Sequence, residues 1–246
     1  MKVLLNPEVE DMLLSPKNRI LFAHVGKCGG SAASIFLHRV LDDNYILFEM
    51  HVQDADKKIS EISKSHPDDF IFLIARRDPI TRFVSAFNWD KHNLFLKGAI
   101  KSGDINALYE EFPTVEAVAL GLISTDPETK RRAKKFSRFA HMGMGQSFYT
   151  PLDVLERIPS ESMHVFDMET LEKDLHDIVE ALTGERPDLP IQDVDSKAGV
   201  RIKANYKSQY EDAATLFPTH LSQEAKAALK TNLADDFAVY NRLGNT

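Results

Sequence analysis

The sequence predicts an α/β fold of three layers, in which a central parallel sheet lies between helices on its two faces. Three short, largely apolar runs in the first part of the chain, at 19–25, 45–50 and 70–75, predict strands. Such runs are typical of strands buried on both faces, and a segment with helical spacing follows each of them. This alternation of strand and helix favours parallel strands joined by helical crossovers.

The first predicted strand, 19–25, ends in a glycine-rich loop, and we expect a helix to begin at Ser31. Serine is a common N-cap because its hydroxyl accepts a hydrogen bond from the first helical turn. The apolar residues that follow recur at the spacing of one helical face: Ala33, Phe36, Leu37, Val40 and Leu41. This pattern predicts a helix that packs directly on the sheet.

Helices and strands continue to alternate after the second predicted strand. The segment 54–65 predicts an amphipathic helix, and Asp78-Pro79 opens the helix after the third strand, where proline suits the first turn. The segment 89–150 shows helical patterns and loops but no convincing strand. The remaining expected elements are a helix at 115–123, a strand at 163–168, and helices at 169–182 and 222–243.

Composition narrows the function classes. The chain has 246 residues with a formal net charge of −7, and 43% of its residues are hydrophobic, which excludes a wholly disordered chain. Its one cysteine excludes an intrachain disulfide and a multi-cysteine zinc site. The acidic balance argues against a dedicated nucleic-acid binder. We find no candidate membrane span or export segment, so the expectation is a cytoplasmic protein without a membrane partner.

The loop after the first strand, 24–31, combines glycines, a lysine and a helix start. Gly26, Gly29 and Gly30 allow unusual backbone angles, and Lys27 adds a positive charge beside the helix N-terminus. This combination favours a phosphate or sulfate site, and the alternative is a tight turn with an incidental lysine. The loop has neither the Walker A pattern nor the glycine fingerprint of dinucleotide-binding folds, so an ATPase or an NAD enzyme is disfavoured.

A second cationic segment, 76–85, follows the third strand. Ligands collect at the carboxyl ends of parallel strands, so this segment and the glycine-lysine loop are expected to face one crevice. Arginine binds phosphate through its planar fork, and Ser85 lies three residues after Arg82 on the same helical face. The alternative is an Arg-Asp-Pro helix cap whose arginines are solvated.

Together the two segments resemble the sulfotransferase superfamily, in the branch of the carbohydrate 2-O-sulfotransferases and their bacterial relatives. The family loop His-x-x-Lys-Thr-Gly-Gly-Thr is matched by His24, Lys27, Gly29, Gly30 and Ser31. The family segment Arg-Asp-Pro-x-x-Arg-x-x-Ser is matched by Arg77, Asp78, Pro79, Arg82 and Ser85. Shorter likenesses occur at 166–171 and 235–240, whereas 89–157 shows little similarity. Gly26 replaces a usual proline and Cys28 a usual threonine, and a thiol is a weaker donor than a hydroxyl.

The resemblance implies the sulfotransferase fold, which is similar to that of P-loop nucleotide hydrolases, in a single domain over 1–246. Its donor-binding core would cover about 19–90, a helical acceptor-side region about 91–160, and a C-terminal strand and helices about 161–246. The donor would be 3′-phosphoadenylyl sulfate (PAPS), and the product adenosine 3′,5′-bisphosphate (PAP). The 5′-phosphosulfate would bind Gly26, Lys27, Cys28, Gly29, Gly30 and Ser31, and the 3′-phosphate would bind Arg77, Arg82 and Ser85.

The resemblance also implies the catalytic residues. Lys27 would stabilise the leaving phosphate oxygen, and His51, after the second strand, would be the base that takes the acceptor proton. Glu49 is the second candidate for the base, because other branches of the superfamily use a glutamate. His24 is expected to be structural, and a catalytic role for the Cys28 thiol stays open as an alternative. The chemistry needs no metal.

The expected acceptor is a hydroxyl group, such as one on a carbohydrate or a small metabolite. A basic run at 130–138 is interpreted either as a wall for an anionic acceptor or donor or as a solvated helix face. Cations in a polar stretch could close over the nucleotide: Lys197, Arg201, Lys203 and Lys207. The rival functions are a kinase-like phosphotransferase and a non-catalytic relative that binds nucleotide. The oligomeric state stays open.

Overall fold

A computed structural model describes residues 1–52, 54–191 and 206–245. The described residues contain a five-stranded sheet whose strands are all parallel, in the order β1-β3-β2-β4-β5. The strands are β1 (Lys2–Leu5), β2 (Asn18–Ala23), β3 (Tyr45–Met50), β4 (Ile71–Arg76) and β5 (Met163–Asp167). The predicted α/β fold with a central parallel sheet is therefore confirmed.

Helices follow β2, β3, β4 and β5, and a helix lies within 115–123, as the sequence predicts. In chain order they are α1 (Val9–Leu13), α2 (Gly30–Val40), α3 (Ala55–Ser65), α4 (Pro79–Asp90), α5 (Gly103–Glu111), α6 (Val115–Leu122), α7 (Pro127–Phe136), α8 (Ala140–Gly143), α9 (Gln146–Tyr149), α10 (Leu152–Leu155), α11 (Leu171–Thr183), α12 (Ala213–Leu216), α13 (Gln223–Asn232) and α14 (Ala234–Leu243). A π-helix, Lys91–Leu96, continues α4, and 3₁₀ turns occur at Pro67–Asp69, Ser160–Ser162 and Tyr206–Gln209. As predicted, the segment 89–150 contains no strand.

Three elements differ from the sequence analysis. The edge strand β1 was not expected, because its four residues, KVLL, are partly exposed and are followed at once by Asn6-Pro7. Ser31 is not the N-cap of α2, since Gly29 occupies that position at φ 79° and the helix starts at Gly30. The single helix predicted at 222–243 is two helices, because Leu233 leaves the helical conformation at φ −104° and ψ 25°.

The described residues form two compact units. The first contains 1–52, 54–77, 146–191 and 238–245, and with them the whole sheet; the second contains 78–145 and 206–237. The expected donor-binding core, 19–90, thus contributes to both units, since α4 belongs to the second. The single domain over 1–246 stays a prediction.

In the first unit, helices cover both faces of the sheet. The crossover from β2 to β3 and the crossover from β3 to β4 run in opposite directions along the sheet. With the usual right-handed connection, α2 and α3 therefore lie on opposite faces. On the α2 face, the buried Phe36 ring stacks on His176 of α11 at 5.2 Å between ring centroids. The α3 face buries Ile59 against the sheet.

The second unit is an all-helical core built around α4. Phe83 and Phe87 of α4 are buried together with aromatic side chains of α5 and α7. Tyr109 and Phe136 meet edge to face, with their ring centroids 4.8 Å apart. The α4 helix begins at Pro79 behind the N-cap Asp78, whose carboxylate accepts a hydrogen bond from the Thr81 amide at 2.8 Å.

Among the described residues, none of the helices combines the length and the apolar character required to cross a membrane.

Replacing Phe36 with alanine is expected to lower the free energy of unfolding by about 3–5 kcal/mol, because the change empties a fully buried site between α2 and α11. Urea denaturation measures the effect. Leu14→Ala serves as control, because this leucine is 80% exposed and its loss is expected to cost about 0.5 kcal/mol or less. Equal effects of the two substitutions would contradict the packing described for α2.

Candidate functional site

The candidate site lies at the carboxyl ends of the central strands. The strand β2 has β3 on one side and β4 on the other, so the chain reverses its direction across the sheet at this point. Such a switch point leaves a crevice between the loop that follows β2 and the loop that follows β4. Ligands of open α/β sheets bind in crevices of this kind. Here the glycine-lysine loop follows β2 and Arg77 follows β4. The Arg77 Nη1 donates a hydrogen bond to the Lys27 carbonyl at 2.7 Å, so the two predicted segments meet.

The backbone of the glycine-lysine loop takes left-handed conformations. Lys27 has a φ of 71° and Gly29 a φ of 79° before α2 begins at Gly30. A left-handed residue beside ordinary ones turns successive N–H groups toward one side, which is the geometry of an anion-binding nest. A lysine pays about 1–2 kcal/mol for this conformation. The hydrogen bond from Arg77 therefore holds Lys27 in its strained position.

Close packing excludes a side chain at both positions of the Gly29-Gly30 pair, and at Gly29 the left-handed backbone angle favours glycine as well. A Cβ atom on Gly30 would lie 2.0 Å from Cδ2 of the His24 ring. A Cβ atom on Gly29 would lie 2.7 Å from the Met168 sulfur, in the turn after β5. The loop is thus pressed between the His24 imidazole and the β5 turn. The expected structural role of His24 agrees with this packing.

The ends of β2 and β3 form a polar cluster of His24, Ser34, Glu49 and His51. The Glu49 carboxylate accepts a very short hydrogen bond from the His24 Nδ1 and a second one, 2.6 Å long, from the Ser34 hydroxyl. The His51 Nδ1 lies 2.9 Å from the His24 carbonyl oxygen, which can only accept, so this nitrogen carries the proton. The His24 and His51 rings stack with their centroids 4.3 Å apart.

The His51 backbone is held by two residues that the sequence analysis did not single out. Both polar groups of the Asn6 side chain bond the His51 peptide, and the Tyr149 hydroxyl accepts a hydrogen bond from the Val52 amide at 3.1 Å. These contacts join residues separated by 45 and 97 positions in the chain. No local sequence pattern signals such distant contacts.

The model of the sulfotransferase family matches residues 10–241, which is nearly the whole chain and includes every residue of the cluster. The chain belongs to the sulfotransferase family. No curated protein and no solved structure matches it significantly. The five-stranded parallel sheet flanked by helices agrees with the sulfotransferase fold, and family membership supports sulfuryl transfer as the general activity.

In this sulfotransferase the Glu49 carboxylate is ionised more easily than an ordinary glutamate. Burial alone would raise the pKa of Glu49, but the hydrogen bond and the charge of His24, with further contributions from Ser34 and His51, outweigh burial and lower it below 4.5. The side chain is only 13% exposed, so its partners and not solvent stabilise the charge. Glu49 is therefore a weak proton acceptor at neutral pH.

Arg82 does not have the position expected of a donor ligand. Its side chain is 0% exposed in the second unit of the sulfotransferase, and its guanidinium donates to the backbone carbonyls of 141, 142 and 144 at 2.9, 3.0 and 3.3 Å. The arginine braces the α8 turn because burial of a guanidinium requires acceptors. The expectation that Arg82 contacts the donor has no support in this geometry. Ser85, one turn further along α4, is partly exposed.

The basic run overlaps helix α7 from 130 to 136, and its cations are mainly exposed. Arg131 pairs with Glu128 at 2.6 Å and Arg132 with Glu111, and both pairs are at least partly exposed. These pairs favour the interpretation as a solvated helix face. Lys207 donates to the Phe217 carbonyl at 3.4 Å. The other cations of the expected nucleotide cover, Lys197, Arg201 and Lys203, lie outside the described residues.

Over the residues that the structure describes, no group of three or more His, Cys, Asp or Glu side chains is placed to hold a metal ion.

Replacing Gly30 with alanine is expected to displace the His24 ring, because the new Cβ atom would overlap it. We expect a free energy of unfolding lower by about 2 kcal/mol or more, since overpacking a rigid site costs about 1–3 kcal/mol. Thermal denaturation checks the result. Gly103→Ala is the matched control, because nothing lies within 4 Å of a Cβ at that position. An unchanged stability of Gly30→Ala would disprove the close packing of His24.

Replacing Glu49 with glutamine is expected to destabilise the protein at neutral pH by about 1–3 kcal/mol, the value of a charged hydrogen bond. Because the folded-state pKa of Glu49 is lowered, its stabilisation is present above the ordinary value of 4.5 and is lost as the pH falls through the folded pKa. The difference between wild type and variant should therefore shrink in acid. Urea denaturation at pH 7 and at several lower values tests this, and a pH-independent difference would contradict it.

Proposed function

We propose that the chain transfers a sulfuryl group from PAPS to a hydroxyl acceptor. The observation that carries this proposal is the hydrogen bond between Arg77 and the Lys27 carbonyl at the switch point of the sheet. It joins the loop that matches the 5′-phosphosulfate motif to the arginine that matches the 3′-phosphate motif. The two cationic side chains, the backbone amides of the glycine-lysine loop and the N-terminus of α2 supply hydrogen-bond donors that suit a polyanionic nucleotide.

The donor would be held by backbone and side chains in different ways. The amides of Gly26 to Ser31 would hold the 5′-phosphosulfate, with the Lys27 ammonium beside it. Arg77 and Ser85 would bind the 3′-phosphate, and Arg82 is left out because its guanidinium already bonds three carbonyls. The Cys28 side chain is fully buried, which argues against a nucleophilic role for its thiol.

Between the two candidate bases, the geometry favours His51. Glu49 accepts hydrogen bonds from His24 and Ser34 and has a lowered pKa, so it would take a proton poorly. The His51 Nδ1 donates to the His24 carbonyl, so Nε2 is the ring nitrogen whose lone pair can accept a proton. A base must be within hydrogen-bond reach of the proton that it takes, and a histidine nitrogen is the group that most often has this role. Glu49 then acts indirectly, by fixing His24.

The proposed reaction is an in-line displacement at sulfur. The acceptor hydroxyl gives its proton to the His51 Nε2, and its oxygen forms a bond to the sulfur of the donor. The bond between sulfur and the bridging oxygen of the 5′-phosphate breaks, and its electron pair stays on that oxygen. Lys27 stabilises the charge that develops there. The products are the sulfated acceptor, PAP and a protonated His51.

A carbohydrate or a small metabolite is the proposed acceptor class. The residues that match the family motifs are assigned to the donor and carry no information about the acceptor. The acceptor class therefore rests on the chemistry proposed for His51, which is the deprotonation of a hydroxyl group.

Replacing Lys27 with alanine is expected to lower kcat about 10²–10³-fold, because one preorganised donor to the developing charge is lost. Transfer from ³⁵S-labelled PAPS to a panel of hydroxylated acceptors gives the rate, and calorimetry with PAP gives the affinity. Lys173→Ala is the matched control, since this lysine is 72% exposed on α11.

The same assays separate the proposal from its rivals. If wild type has no measurable affinity for PAP, the proposal is wrong. Magnesium-dependent turnover of ATP would instead identify a phosphotransferase. Tight binding of PAPS without transfer to any acceptor would identify a non-catalytic relative.

A further inference from the structure

Asn6 grips the backbone of His51 at both of its polar groups. The Asn6 Nδ2 donates to the His51 carbonyl at 2.7 Å, and the Asn6 Oδ1 accepts from the His51 amide at 2.8 Å. The Asn6 amide itself donates to the Glu49 carbonyl at 2.9 Å, which continues the pairing of β1 with β3. The Asn6 side chain thus continues the hydrogen-bond ladder between β1 and β3 beyond its last pair, Leu5 with Glu49, and binds the backbone of His51, the residue proposed as base.

The backbone on either side of this contact is strained. Asn6 has a φ of 46° and Val52 a φ of 52°, and a left-handed β-branched residue is a genuine outlier. Such conformations persist where the surroundings determine them, and they concentrate at functional sites. Here the Tyr149 hydroxyl holds the Val52 amide, and the Lys58 ammonium bonds the Asn6 carbonyl at 3.2 Å. The peptide of His51 is therefore fixed from both sides.

A fixed His51 backbone determines where its ring points. The ring stacks on His24 and donates from Nδ1 to the His24 carbonyl at 2.9 Å, so a small rotation of the backbone would break this hydrogen bond. Loss of this hydrogen bond would remove the contact that places the proton on Nδ1.

We propose that Asn6 is a positioning residue that sets the orientation and the tautomer of His51, an inference that rests on the proposed role of His51 as base. Asparagine suits this task because its amide offers a donor and an acceptor together. An ionised aspartate would place an acceptor against the His51 carbonyl. Asparagine also tolerates the left-handed conformation better than most residues.

The test compares Asn6→Gly and Asn6→Asp, both of which accept the backbone conformation of Asn6. The matched control is Asn44→Gly, at the opposite end of β3, where the asparagine amide bonds the Asp42 side chain on an exposed loop. Nitrogen-detected NMR of the histidine rings reports the His51 tautomer, with His51→Gln used for assignment. Steady-state kinetics over pH 5.5–9 and PAP calorimetry complete the set.

We expect both Asn6 variants to raise the share of the Nε2–H tautomer of His51, to lower kcat about tenfold and to alter the acidic limb of the pH profile. The PAP affinity should stay within about twofold, because the glycine-lysine loop follows β2 and not β1. Asn44→Gly should leave all three readouts unchanged. A wild-type tautomer and pH profile in both variants, whatever their stability, would overturn the proposal.

The outcomes also separate this inference from the proposed function. A wild-type protein that neither binds PAP nor transfers sulfate defeats the proposed function and, with it, the catalytic purpose of the contact. A wild type that transfers sulfate and loses activity in His51→Gln, while both Asn6 variants keep their kcat and tautomer, defeats only the inference about Asn6.

Discussion

The packing of one histidine connects the parts of the candidate site. His24 directly follows β2, its side chain bonds Glu49 of β3, and its ring lies against Gly30 at the start of α2. Its carbonyl receives the hydrogen bond from His51, and its amide bonds the Met50 carbonyl at 3.0 Å. Because these contacts share a single residue, a displacement of His24 would disturb the glycine-lysine loop, the buried carboxylate and the proposed base together.

This arrangement explains how a protein of net charge −7 can offer a site to a polyanion. The one carboxylate of the cluster, Glu49, is turned toward His24 and Ser34, so its charge is compensated within the protein. The cations Lys27 and Arg77 sit on the adjacent loops, and the electrostatic character of the crevice is set locally. A negative net charge therefore does not exclude an anionic ligand.

The sequence was informative where local physics decides the structure. The buried strand at 45–50 has its predicted bounds. The glycine-lysine loop was recognised because few residue types adopt the backbone angles of such a turn. The edge strand β1 was missed because it is short and half exposed. The break at Leu233 was missed because the apolar stripe continues across it. In both cases tertiary contacts outweigh the local pattern.

The site could be predicted only as far as its motifs extend. Arg77 and Lys27 lie together as their motif positions suggested, and His51 lies beside His24. The contacts of Arg82 could not be predicted from the sequence, because the sequence pattern does not distinguish an arginine that binds backbone carbonyls from one that binds phosphate. Asn6 reaches the His51 backbone across 45 residues and Tyr149 reaches the Val52 amide across 97, and contacts of that range leave no trace in local spacing.

The connection from β4 to β5 has a consequence for how the chain folds. These neighbouring strands pair Phe72 with Met163, and residues 78–145, which belong to the helical second unit, come between them in the sequence. The pairing closes a long loop, so it is entropically expensive and slow compared with the β2-β3-β4 pairings. Until β5 arrives, β4 is an apolar edge strand open to other chains. Attachment of β5 is thus the folding step at which aggregation competes most directly with the native sheet.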